Sequence, residues 1–118
     1  MGLQLSASSR VNPFKVTILS GETLSEEFQT HGGVVVGVVS PPDLNGAAQM
    51  TFYGVVGGYN RQLLKDDGTA VGISTLVVNT IARVLPHDTC ALTDISKIGV
   101  DSAVTSDTTF TVLVRDIS

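Results

Sequence analysis

His87-Asp88-Thr89-Cys90 places an imidazole, a carboxylate and a thiol in one short stretch. A Cys–His nucleophile needs its two groups in hydrogen-bond contact and a third group to orient the base. A structural zinc needs a full tetrahedral ligand set, and His31 is the only other histidine. The stretch therefore reads as a turn after Pro86 followed by a small, buried Cys90. Asp66-Asp67-Gly68 has the acids of a calcium loop but not the spacing or the terminal glutamate, and Asp-Gly is already explained as a tight turn. Glu26 and Glu27 are adjacent, so on a strand they point to opposite faces and share no site. Ser74 lacks the Gly-x-Ser-x-Gly setting of a nucleophile elbow. Gly54 to Gly58 lacks the Lys-Ser/Thr ending of a phosphate loop. Tyr53 and Tyr59 have the chemistry to stack on a sugar, or to cap a sandwich or line a subunit contact. No nucleophile, base or metal set assembles, so no enzyme and no cofactor is expected.

The chain of 118 residues is 42% hydrophobic and only 15% charged. Globular domains average about 25% charged, so a partner is expected to cover part of this surface. A net charge of −4, with the Lys and Arg residues scattered, argues against nucleic-acid binding. One cysteine excludes an internal disulfide framework and fits a reducing compartment. The longest apolar run, Val34 to Val39, is far short of the roughly 20 residues a membrane span requires. The first residues lack the charged and apolar regions of a signal peptide. Met1-Gly2-Leu3-Gln4-Leu5-Ser6 matches the myristoylation pattern, which is short enough to arise by chance.

The elements that must carry these residues read as strands. Residues 1–12 are small and polar, without a sustained period, and are expected to be a flexible arm ahead of a domain spanning 13–118. Phe14, Val16 and Ile18 alternate with Lys15 and Thr17, as a half-buried strand requires. Thr23 to Phe28 admits a capped helical turn, but a strand is preferred. Val34 to Val39 reads as a strand buried on both faces, or facing the core on one side and an oligomer contact on the other. Met50 and Phe52 alternate with Thr51 and Tyr53 in the next strand. Gly57-Gly58 suggests a bulge or a close backbone approach. Strands are expected at Tyr59 to Leu64 and at Val71 to Ile73, and the Thr, Val and Ile content of Thr75 to Leu85 favours another. Asp94 to Val100 and Thr109 to Arg115 close the chain, the latter with Phe110, Val112 and Val114 on one face. About eight short strands with Gly, Pro and Asp turns imply an all-β sandwich. A jelly roll is the first choice and an immunoglobulin-like sandwich the second.

Six stretches, in this order, resemble the jelly-roll decoration (cement) and head-associated proteins of tailed bacteriophages. Ser20-Gly21-Glu22-Thr23-Leu24-Ser25 resembles their Ser-Gly-x-Thr-x-Ser opening. Val34 to Val39 with Ser40-Pro41-Pro42 resembles their apolar strand ending in a proline turn. Gly46-Ala47-Ala48-Gln49-Met50-Thr51-Phe52 is similar to a strand of small residues followed by Leu-Thr-Phe. Leu64-Lys65-Asp66-Asp67-Gly68-Thr69 resembles their Asp-x-Gly-Thr hairpin. The Leu85-Pro86 turn and Asp107 to Arg115 resemble the family's closing segment. Where that family often has an aromatic residue just after the proline turn, this chain has Cys90-Ala91-Leu92. The resemblance implies a virion structural protein made in the bacterial host cytoplasm. It implies a subunit that sits on the outer capsid surface, binds the major capsid protein and forms a homotrimer, with neither nucleic acid nor membrane as partner. Val34, Val36, Val38, Tyr53 and Tyr59 are the expected subunit or capsid contacts. A carbohydrate- or receptor-binding module on the head or tail is the alternative.

Overall fold

Val16 and Ile18 near the start of the chain, and Phe110, Val112 and Val114 near its end, are fully buried, whereas Lys15, Thr109 and Arg115 are exposed. These two alternating segments are β1 (Val11–Ile18) and β9 (Thr108–Arg115), paired antiparallel along their whole length. The structure, a computed structural model, describes residues 10–116. Between these strands lie β2 (Phe28–Gln29), β3 (Val34–Val39), β4 (Met50–Val56), β5 (Tyr59–Gln62), β6 (Gly72–Ile73), β7 (Ile81–Arg83), one helical turn α1 (Pro86–Thr89) and β8 (Ile95–Val100).

Two antiparallel sheets face each other. Sheet A has the order β1-β9-β3-β7, and sheet B the order β2-β8-β4, with β5 and β6 both along the far side of β4. The pairings nest: β1 with β9, β2 with β8, β3 with β7, and β4 with β5 and β6. Nested pairing describes one long hairpin. Rolling that hairpin up adds the β3–β9 and β4–β8 ladders. The result is the jelly-roll connectivity. The extra strand arises because β5 and β6 share one position beside β4, separated by a finger at residues 63–71. The finger's base closes on Phe52, whose carbonyl accepts from Leu63 N (2.9 Å) and whose N–H donates to Val71 O (3.3 Å). Its tip is the Asp66-Asp67-Gly68 turn, where Gly68 has φ +88° and donates to Lys65 O (2.9 Å).

The core lies between the sheets and includes Val16, Ile18, Val35, Val38, Met50, Phe52, Ile98, Phe110, Val112 and Val114. Met50 and Phe52 face it while Thr51 and Tyr53 face outward, as their alternation implies. No buried side-chain polar atom among the described residues lacks a hydrogen bond.

Several expected elements differ. The first strand begins at Val11, so Val11 and Asn12 belong to the domain and not to an arm; residues 1–9 lie outside the described residues. Between Thr23 and Phe28 the chain is neither helix nor full strand. Leu24 makes an isolated bridge to Gly99, and Ser25 pairs with Ile98 through its backbone N–H (2.9 Å) and its side-chain oxygen (3.0 Å). Gly57 (φ +62°) and Gly58 (φ +83°) form no bulge; both central residues being left-handed makes this a type I′ hairpin turn. Only Ile81–Arg83 of Thr75 to Leu85 is strand, because the chain there crosses from sheet B to sheet A. That crossing is tied by Leu76 N to Ala48 O (2.8 Å) and Asn79 N to Pro41 O (3.2 Å). Pro86 opens a helical turn where a plain turn was expected, its fixed φ suiting the first helical position.

Candidate interaction surfaces

Some of the residues that looked chemical in sequence, Thr89, Asp67 and Glu26, make structural hydrogen bonds instead. In α1 the functional hydroxyl belongs to Thr89. It is buried and donates to the carbonyl of Val35 at 2.6 Å, beside the register shift between Val35 and Gly37 in the β3–β9 ladder. His87 and Cys90 are exposed, and the Cys90 thiol lies 3.3 Å from the His87 carbonyl, not its imidazole. Cys90 is thus not the buried apolar residue expected, because the helical turn directs Thr89 inward in its place. Asp67 accepts from Thr69 N (3.0 Å) and Thr69 Oγ1 (2.7 Å), which lowers its carboxyl pKa. Asp101 accepts from Ala48 N (2.9 Å) and Gln49 N (3.0 Å), and these bonds lower its pKa likewise. Both shifts run away from neutrality, opposite to a proton-transfer group. Glu26 turns its carboxylate to Thr17 N (3.2 Å) on the open edge of β1, while Glu27 lines a different surface. No group of three or more His, Cys, Asp or Glu side chains could hold a metal among the described residues.

Glu27 lines a groove of about 470 Å³ between the free edges of β1 and β2, with Phe14, Lys15, Phe28, Gln29, His31 and Ile95. His31 has φ +52° and its N–H is held by Asp94 Oδ1 at 2.6 Å. Its ring stands 6.3 Å from the Phe14 ring. Phe14 and Phe28 give the groove its aromatic lining.

The expected contact residues separate. Val38 is fully buried and Val34 nearly so, whereas Val36 and Val39 are half-buried. Tyr53 is half-buried over the backbone of Gly99, where a Cβ would stand 2.6 Å from Tyr53 Cε1. Tyr59 is 67% exposed near the tip of the β4–β5 hairpin, with the Arg61 guanidinium 5.4 Å from its ring centroid.

On the outer face of sheet A, Val11 and Ile81 are exposed while Val39 and Leu113 are half-buried. One cross-strand row there runs Lys15, Thr111, Val39, Ile81, and the next runs Pro13, Leu113, Gly37, Arg83. Ile81 is also 67% exposed. Gly37 leaves a dip over which both Leu113 and Ile81 lean, reaching within 3.3 and 3.6 Å of where a Cβ would be. Val77 and Val78 are exposed in the loop leading into β7. Leu113 alternates with buried neighbours, which was a usable signal; Ile81 carries none, since its strand is only three residues long.

No protein-family model, curated protein or solved structure matches this chain. No helix among the described residues is long and apolar enough to cross a membrane.

Proposed function

We propose that this chain is an adhesive structural subunit: a decoration protein of a tailed-bacteriophage head that binds the outer surface of the major capsid protein lattice. The observation that carries this reading is the outer face of sheet A, where exposed Val11 and Ile81 stand with half-buried Val39 and Leu113. Monomeric proteins rarely leave a contiguous apolar surface uncovered unless a partner takes it. The sequence resemblance to jelly-roll decoration proteins gives the partner its identity, and the nested strand pairing agrees with the fold of that family. Its role would be cohesive, each copy adding buried area between neighbouring capsid subunits. Repetition over a lattice makes modest individual contacts effective. A trimer about a threefold position would close heterologous contacts between copies.

The test is co-sedimentation of the purified chain with heads assembled without it. Saturable binding, with heads that then survive heating better, is the expected result. Heads that bind none of the chain overturn the reading. Light scattering of the chain alone and on heads tests the trimer. A second reading, carbohydrate binding, is favoured by exposed Tyr59 stacked with Arg61. A glycan array with wild type and Tyr59→Ala decides it: specific retention lost in the variant supports a sugar site.

A further inference from the structure

We infer that the outer face of sheet A docks a protein surface whose centre is apolar and whose rim carries carboxylates. The inference deepens the assembly reading, on which it rests for the partner's identity, by naming the face and the chemistry that face selects.

Charge is segregated between the connections and the strands. The chain is acidic, with 11 Asp and Glu against 7 Lys and Arg. None of those acids lies in any strand; they occupy the connections, α1 and the residue after β9. The strands of sheet A instead carry Lys15, Arg83 and Arg115, all at outward-facing positions. Lys15 and Arg83 have no carboxylate partner among the described residues. They stand at opposite edges of the sheet and in adjacent rows, so that Pro13, Val39, Leu113 and Ile81 lie between them. Sheet B also carries cations in its strands, Arg61 and Lys97, but on sheet A Lys15 and Arg83 flank an apolar middle from opposite edges. An apolar centre within a charged rim is the layout of a protein interface.

Charge decides among occupants. Two copies joined by this face about a twofold axis would set the Lys15 and Arg83 of one against those of the other, and like charges across an interface suppress that pairing. A nucleic acid would engage the cations but leave Ile81 and Leu113 against phosphate and sugar. A carboxylate-rimmed apolar protein surface satisfies both parts of the face.

The test uses the full chain and a short alternating Leu–Glu peptide as probe, followed by amide chemical shifts. Shifts are expected along the outward rows of β1, β9, β3 and β7. Ile81→Asp is expected to abolish them, and Lys15→Glu with Arg83→Glu to weaken binding by about tenfold. Ile81 is mostly solvent-exposed on an edge strand, so its variant keeps the fold, which the remaining resonances report. Added salt weakens wild-type binding, since exposed charges are screened over roughly 10 Å. Shifts scattered elsewhere, no shifts at all, or an equal response to a Leu–Lys peptide or to oligodeoxythymidine overturn the inference. Self-association of the wild type that Ile81→Asp removes also overturns it, by making a second copy the occupant. Co-sedimentation with heads separates this inference from the reading it rests on. Heads that bind wild type and variants alike sink the face assignment and leave the capsid reading standing. Heads that bind nothing sink the capsid reading, while the peptide map still decides the face.

Discussion

Thr89 shows how one side chain can stand in for a strand. Its hydroxyl gives the Val35 carbonyl a donor where the β3–β9 register shifts, and it does so from a buried position. Thr89→Val keeps the shape and deletes the donor. It is expected to cost about 1–3 kcal/mol, the penalty for leaving a buried acceptor unsatisfied, measured by urea unfolding, whereas Thr89→Ser, which keeps the donor, is expected to avoid most of that loss. Asp101 works through charge. Its two backbone N–H bonds hold the carboxylate form, so its folded pKa lies below the ordinary 3.8. A lowered folded pKa means its stabilisation is present above that ordinary value and fades as pH falls through the lowered one. Asp101→Ala should therefore melt below wild type at neutral pH, and the gap should close on acidification. Circular-dichroism melts over a pH series check this.

At the scale of elements, close backbone approach sets tolerance. A Cβ at Gly72 would overlap the Met50 carbonyl oxygen, where β6 meets β4. Gly72→Ala must push β6 off the sheet edge. It is expected to cost about 1–3 kcal/mol, the usual range for overpacking, and to speed amide exchange in β6 and the adjoining half of β4. The long alternating strands β1, β4, β8 and β9 were legible because burial on one face imposes a period of two. β6 falls within the strand expected at Val71 to Ile73, but β2 and β7 were not legible as bounded elements. At two or three residues each they are too short to show a period, and ladder partners far along the chain define them.

At the scale of the molecule, the rolled hairpin joins its two ends and closes at the finger. Asp116 N donates to Arg10 O at 3.0 Å, so the open ends of the hairpin lie side by side. Linking residue 116 to residue 10 and cutting between Asp67 and Gly68 should leave every ladder intact. That circular permutant is expected to fold with a melting temperature close to that of the chain spanning 10–116. A cut inside β9 is expected to abolish folding, because β9 lies between β1 and β3 and belongs to both ladders. Circular dichroism and thermal melts of the two permutants check the pair. Partners so distant in sequence also predict folding on the millisecond-to-second scale, which stopped-flow refolding measures.

Residue order alone determined the class of this protein. Alternating apolar residues between Gly, Pro and Asp turns can bury themselves only as facing sheets, and that held for the sandwich and for the Asp66-Asp67-Gly68 turn. Tertiary structure decided what local pattern does not encode. It put Thr89 inside and Cys90 outside, because one helical turn rotates each successive side chain by a fixed angle onto a neighbour the sequence does not name. It also gathered Lys15, Arg83, Ile81 and Leu113 onto one face, since register between strands far apart in the chain is set by ladder pairing and not by proximity along the chain.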